Sequence, residues 1–247
     1  LNFKILEMKT IFFVVLLFVF VQSCSSRLEY EFEVETVKFK MVYVKGGLFP
    51  MGATLGQQGY GRENEKPVHK VAITDFFIAE TEVTQGLWLA VMGNNPSFFQ
   101  HDSDSYPVEN VSFNDVSEFL EKLNNITGMQ FRLPAESEWE YAARGGAYSQ
   151  DKMFAGSDSI KDVAWYIDNS NGYPQPVALK KTNELGLYDM SGNVWEWCDT
   201  EENGKYIERG GGWANYELGL RVSFRDSDSA DYKNYNGGFR LAMSVIP

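Results

Sequence analysis

From Phe131 to Gly146 the chain reads FRLPAESEWEYAARGG, and within it a helix has both of its ends written in residue type. Pro134 suits the first turn, where its missing N–H would go unused and its fixed φ is already helical. Glu136 and Glu138 favour the positive end of the helix dipole, and Gly145-Gly146 stop the helix. Upstream, SFNDVSEFLEKLNNITG (112–128) predicts a second helix. Val116, Phe119, Leu120, Leu123 and Ile126 recur at helical spacing, Ser112 or Asn114 caps it, and Gly128 ends it. A weaker third helix runs from Thr84 to Met92. Alternation in KFKMVYVKGG (38–47) predicts a strand from Phe39 to Val44, and HKVAITDFFIAETEVT (69–84) predicts strands around Val68 to Ile78. Between them GATLGQQGYGRENEKP (52–67) reads as a long polar loop. After Gly146 regular patterns thin out into short strands and many Gly, Asn, Asp and Trp residues. Such a half must satisfy its buried backbone groups through side chains, water or ions, so it reads as ordered loops.

The N-terminus is of another kind. Met8-Lys9-Thr10 is followed by an unbroken apolar run, Ile11 to Val21, and then Gln22-Ser23-Cys24. The run is short for a membrane span and has the export pattern, so residues 1–23 are expected to be a signal peptide, with Met8 as the true start. VQSC (21–24) resembles a bacterial lipobox, which makes Cys24 the lipidated first residue of the mature chain and a membrane tether. The acidic residues that follow are read as part of a tether over 24–36, with the folded domain over 37–247. That leaves about 220 residues, enough for one large domain. The formal net charge of −12, without a Lys/Arg cluster, argues against nucleic acid as a partner. Beyond Cys24 the chain keeps only Cys198, so no intrachain disulfide is expected despite export.

Taken in order, FPMG (49–52), EKPVHKV (65–71), FFIAETEVT (76–84), PVENVSFNDV (107–116), FRLPAESEWEYAARGG, NELGLYDMSGNVWEWC (183–198), RGGGW (209–213) and GFRLA (238–242) resemble the formylglycine-generating enzyme, or sulfatase-modifying factor, family. The resemblance covers roughly Met41 to Ala242. It implies a single α+β domain with an elaborated C-type lectin fold, small sheets and a few helices wrapped by ordered loop. Catalytic members of that family are copper-dependent oxidases with a cysteine pair shortly after the RGGGW position, as soft thiolates suit copper(I). Here the pair falls near Asn215 and Leu220, neither of which can bind copper, while Cys198 reads as a packed residue. An iron-dependent sulfoxide-forming branch needs histidines and an extra domain, and this chain has only His69 and His101. The resemblance also implies a possible structural calcium held by the Asp189 and Glu196 carboxylates with the Gly192 and Val194 carbonyls, an oxygen set suited to a hard cation. No cofactor is otherwise required.

A subset of the family serves as the variable proteins of diversity-generating retroelements, in which adenines of a C-terminal template are randomised. An Asn codon of the AAY type then never becomes Lys, Met, Trp, Gln or Glu. From Ala214 to Asn236 the only residues of that unreachable set are Glu217 and Lys233, where ordinary usage gives roughly four to six. The same stretch mixes Tyr with Asn, Ser and Gly, the composition of a binding loop rather than of a catalytic site. The variable region is placed at about 213–240. Its candidate ligand-binding positions are Ala214, Asn215, Tyr216, Leu218, Gly219, Phe224, Asp226, Ser227, Asp228, Ser229, Tyr232, Asn234, Tyr235 and Asn236. Arg221, Arg225, Asp231 and Arg240 are expected to hold the loop backbone by charge-assisted hydrogen bonds, and Trp213 and Phe239 to anchor it in the core. The expected function is a non-catalytic lipoprotein on the outer surface of a bacterial envelope that binds an unknown protein or surface ligand. The alternatives are a formylglycine-type oxidase and a structural envelope lipoprotein.

Overall fold

A strict alternation of charged and apolar residues, Glu-Tyr-Glu-Phe-Glu-Val, lays down the first strand. In the computed structural model, which describes residues 28–245 apart from Gln58, Asp102 and Ser103, β1 (Glu29–Val34) pairs antiparallel with β2 (Val37–Val44). Phe32 and Val34 are buried while Glu31 reaches Lys38 at 2.8 Å on the outer side. The tether expected over 24–36 is therefore strand across Glu29–Val34, because a period of two buries one face whatever the charge of the other. The signal run and Cys24 lie outside the described residues.

β3 (Gly47–Met51) and β4 (His69–Ile73) form a separate antiparallel ribbon around the polar loop. β5 (Phe76–Ala79) follows after a break at Thr74-Asp75, where Asp75 accepts hydrogen bonds from the Gly46 N–H at 2.9 Å and from the Tyr43 hydroxyl. β5 is buried on both faces, which is why its sequence is an unbroken apolar run.

Helix α1 (Gln85–Met92) is capped by Thr84, whose hydroxyl accepts from the Leu87 N–H, and it ends at left-handed Gly93. Helix α2 (Phe113–Thr127) starts with a capping box between Ser112 and Asp115 and ends at Gly128. It buries Val116, Phe119 and Leu123. The Phe119 ring stacks on Trp88 at 5.1 Å and meets Phe239 edge-on at 5.3 Å. After the short β6 (Phe131–Arg132) comes α3 (Glu136–Ala143). Pro134 stands one residue before the cap Ala135 rather than in the first turn. Glu138 closes the helix start by accepting from the Ala135 N–H at 2.9 Å while Arg132 grips it through two nitrogens. A short α-helical turn, α4 (Ile160–Val163), precedes β7 (Trp195–Glu202), β8 (Lys205–Arg209), β9 (Arg225–Asp228), β10 (Gly237–Gly238) and β11 (Ala242–Ser244).

These strands make a five-stranded sheet in the order β1-β2-β5-β11-β6 and a four-stranded sheet in the order β10-β7-β8-β9. The first sheet is covered on one face by α1 and α2, with Met41, Phe77 and Leu241 between them, and on the other by α3 through Ile78, Trp139 and Ala142. Helices on sheets with long ordered loop between is an α+β architecture. Phe119 lies at the centre of the first of these cores, so Phe119→Ala is expected to cost about 3–5 kcal/mol of stability, read as a shift of the urea midpoint with unchanged m-value.

Candidate ligand-binding face

The C-terminal segment from Arg209 to Arg240 is built around guanidinium groups that point inward. Arg209, at the end of β8, is fully buried. It donates to the Ser223 and Phe224 carbonyls at 2.8 and 2.6 Å and forms an ion pair with Glu140 of α3. Arg221 makes a two-point contact with Glu65 at 2.8 and 2.6 Å and also donates to the Leu218 carbonyl. Burial works to raise the Glu65 carboxyl, and the hydrogen bonds from Arg221 and Ser223 more than offset it, leaving it lowered. Arg225 clasps Glu136 through two nitrogens at 2.6 Å and reaches Glu202 at 3.1 Å. Arg240 does the same to Glu196, at 2.6 Å on both oxygens, and donates to the Ala79 and Tyr188 carbonyls. Asp231 accepts from the Asn114 side chain at 2.5 Å. Arg221 thus holds the segment's backbone as the sequence predicts, and Arg209 joins it, whereas Arg225, Asp231 and Arg240 tie their own positions to groups outside the segment.

Glycines let the backbone pass through the tight places. Gly211 has φ +70, and a Cβ there would stand 2.6 Å from the Gly219 carbonyl oxygen; at Gly238 it would stand 2.4 Å from that of Val108. Trp213 donates its backbone N–H to Asn193 and its indole N–H to the Tyr235 carbonyl. Phe239 is in the core.

Held this way, the candidate variable positions separate into two groups. Tyr216 (74 % exposed), Leu218, Asp226, Ser229, Tyr232 and Tyr235 (52 %) stand at the surface, with Ala214, Gly219, Ser227 and Asp228 half-buried beside them. Phe224 and Asn236 do not: each is only 6 % exposed. Phe224 lies under the Arg62 guanidinium at 4.3 Å, and the Asn236 carbonyl accepts from the Trp195 N–H. Asn215 and Asn234 are half-buried pins. The Asn215 side-chain oxygen accepts from the Trp195 indole and the Gly212 N–H, both at 2.9 Å, and the Asn234 carbonyl accepts from the Asn110 N–H. Residues 225–228 are also not irregular. They form β9 against β8, although Arg-Asp-Ser-Asp has no apolar residue to announce a strand.

The face extends beyond the segment. Phe98, 71 % exposed, packs on Phe99 at 4.9 Å and near Tyr235 at 6.1 Å, and Phe99 meets Trp213 edge-on at 5.5 Å. The signal for this pair was an apolar doublet in an otherwise polar run, NNPSFFQ (94–100). Beneath the Phe pair, Glu109 accepts from the Phe99 N–H at 2.8 Å, and burial pushes its carboxyl up to about 7. In β8, burial with Asp228 and Asp226 nearby pushes Glu208 up to about 8.

The positions relevant to oxidase and calcium chemistry are equally defined. Leu220 is buried among Phe154, Val163 and Tyr166. Cys198 is fully buried, and burial raises its thiol well above the ordinary value, which makes it an inert packed residue. Of the residues expected to hold calcium, Glu196 has both oxygens engaged by Arg240, and one also accepts from the Trp139 indole. Asp189 fits a cation better: its Oδ2 accepts from the Ala178 N–H, but its buried Oδ1 has no partner among the described residues. Burial pushes Asp189 up to about 6 and holds Glu82, close to it and to Glu196, far above the usual carboxylate range. A cleft of about 420 Å³ lies on the inward side of β9, lined by Glu65, Glu136, Glu140, His69 and Arg225. Its three glutamates are already paired with Arg221, Arg225, Arg209 and Arg144, so it is part of the frame.

A sheet core, long loops pinned by buried arginines and a C-terminal surface with exposed tyrosines describe an α+β scaffold of C-type-lectin-like fold. Known proteins agree: residues 29–245 match the sulfatase-modifying factor enzyme 1-like domain, and the chain belongs to that family. Among solved structures it is similar to Treponema denticola variable protein 1, with a TM-score of 0.79 and 28% identity over 89% of this chain and 100% of that one. It is 32% identical to the chaperone protein LppX of Paenibacillus barcinonensis, covering 85% of this chain and 91% of that protein. It is 27% identical to the formylglycine-generating enzyme of Streptomyces coelicolor, over 81% of this chain and 88% of the enzyme. The α+β, C-type-lectin-like fold expected from the motifs is the fold of these relatives.

Two outcomes follow from the buried charges. Arg209→Met strips the Glu140 Oε2 and the Ser223 and Phe224 carbonyls of their buried donor while Arg144 still holds Oε1, and it is expected to cost about 3–5 kcal/mol, read by chemical denaturation. Between pH 5 and 8 folded Glu208 keeps a proton that the unfolded chain has lost, so stability falls as pH rises through that window, and Glu109 and Asp189 act with the same sign. Glu208→Gln removes its part of this slope. Thermal melts should show the variant gaining on the wild type at pH 8 relative to pH 5.

Proposed function

We propose that this chain is a non-catalytic display protein, lipidated at Cys24 and carried on the outer surface of a bacterial envelope, that binds a protein or surface ligand through changeable side chains of its C-terminal segment. One observation carries the reading: in a segment tied down by buried arginines, the side chains of Tyr216, Leu218, Asp226, Ser229, Tyr232 and Tyr235 are exposed and pair with none of those arginines. Rigid amphipathic rings among small polar residues on a fixed frame are the composition of a recognition surface. The likeness to a variable protein over nearly the whole chain supports it.

The positions that would carry a copper-binding cysteine pair hold Asn215 and Leu220, one a hydrogen-bonding pin and the other a core residue. The formylglycine-generating relative is the reason to keep an oxidase as the second reading, and oxidation of a peptide cysteine by the purified domain would establish it. No cofactor is required in the leading reading. A calcium ion at Asp189, completed by the Gly192 and Val194 carbonyls, would be structural, and calcium should then raise the melting temperature of the wild type but not of Asp189→Ala.

Replacing Tyr216, Tyr232 and Tyr235 together by Ala is expected to leave the melting temperature within a few degrees while abolishing binding of a partner selected on the wild type. A large fall in melting temperature would make these rings core residues and defeat the proposal. The gene offers an independent check, since a near-copy of the segment differing only at adenines should lie beside a reverse transcriptase gene.

A further inference from the structure

Under the outer edge of the four-stranded sheet lies a carboxylate that the scaffold does not use. Glu208 of β8 stands directly opposite Asp226 of β9, so the two side chains leave the same face of the sheet, and Asp228, two residues along, shares it. Glu208 is only 6 % exposed, yet no donor reaches its carboxylate among the described residues. Like charges placed directly across a strand pair are unfavourable, and opposite charges are the usual arrangement. The cations nearby are committed elsewhere. Arg209 and Arg225 leave the other face of the sheet toward Glu140 and Glu136, and Lys233 is paired with Asp115 at 2.8 Å. Lys205 acts on Asp228, and its charge is not among those that bear on Glu208.

The surroundings are those of a socket. The Tyr232 hydroxyl lies close enough to Asp228 and Glu208 for their charges to act on it, with Tyr235 beside it, and both rings are exposed. Gly237 leaves room next to Glu208, since an added Cβ would stand 3.5 Å from its Oε1. Among the described residues, Glu208, Asp226 and Asp228 are not grouped closely enough for three carboxylates to ligate one metal ion.

We propose that this face accepts a cationic side chain, the lysine or arginine of a protein partner, against Glu208, Asp226 and Asp228, with Tyr232 and Tyr235 flanking it. The assignment rests on the reading of the segment as a binding face and adds the chemistry of what it binds. Glu208 lies outside the changeable stretch, so it supplies a fixed carboxyl, which becomes a counter-charge once ionised, beneath side chains that differ from one version of the protein to another. Burial has removed most water from Glu208 in the free protein, so above about pH 8, where the carboxyl gives up its proton, an incoming cation gains a charge-assisted hydrogen bond with little further desolvation of that group. An aromatic ring beside the cation adds its own attraction.

The test uses the whole exported domain at pH 8.5, above the value of about 8 to which burial pushes Glu208, with a lysine decapeptide and its fully acetylated form as probes in biolayer interferometry. Saturable binding of the lysine peptide is expected, and binding of the acetylated one at least about tenfold weaker. Glu208→Gln and the double variant Asp226→Asn/Asp228→Asn should each lose about tenfold, while Glu118→Gln/Glu121→Gln on α2, which removes the same charge, should not. Equal binding of both peptides, or equal loss in the α2 control, overturns the socket. So does a selected partner that depends on Tyr216 and Tyr235 yet binds Glu208→Gln unchanged, an outcome that leaves the display reading standing. Melting temperatures of the variants, expected at or above the wild type, show that any loss is one of binding.

Discussion

Arg209, wholly buried against Glu140, decides where the C-terminal segment can go. A charge taken that far from water is tolerable only when it is paired and hydrogen-bonded, so Arg209 demands the Glu140 carboxylate of α3 and the Ser223 and Phe224 carbonyls, with Glu136 at 3.5 Å from its Nε. Meeting that demand fixes the start of β9 relative to α3. Arg221, Arg225 and Arg240 repeat the arrangement at other points, each with a two-point carboxylate contact, and three of the four also bond main-chain oxygens of the segment or of the strand beside it. In a region with so little ladder, these guanidinium groups do for the loop backbone what neighbouring strands do inside a sheet.

This explains how a disorderly sequence sits on an orderly frame. The residues that secure the segment point inward, and the residues that look interchangeable point outward, so the identity of the second set hardly enters the stability of the first. Distant, independent sites contribute additively to stability, and that independence is what a scaffold for changeable contacts needs. The exceptions obey the same rule. Phe224 and Asn236 have the composition of the outward set, but they face the interior and belong to the frame. Lys233, which no AAY codon can reach, has a job of its own against Asp115 of the α2 capping box.

How much of this was legible in the sequence depends on how local each signal was. Helices α1 and α2 were readable because their caps, Thr84 and Ser112, and their terminal glycines act within one turn. β1 was hidden by its acidic residues even though its alternation was complete. β9 was hidden for a deeper reason, since its pairing is set by the register of β8 and by the Arg225–Glu136 contact 89 residues away in sequence. Glu208 could not be found in the sequence: in KYIER a single Glu reads as a solvated strand residue, and only the fold buries it, with Tyr232 and Gly237 brought near its carboxyl. Likewise, a carboxylate in WEWC offered itself as a calcium ligand until Arg240, 44 residues on, took both of its oxygens.

The claim that surface identity and scaffold integrity are separate is open to direct measurement. Two libraries of the domain would be compared by protease resistance, one randomised at Tyr216, Leu218, Asp226, Ser229, Tyr232 and Tyr235, the other at Arg209, Arg221, Arg225 and Arg240. The account predicts that most members of the first remain folded and almost none of the second do. If the first library unfolds as readily as the second, the exposed residues are part of the structure and the account is wrong.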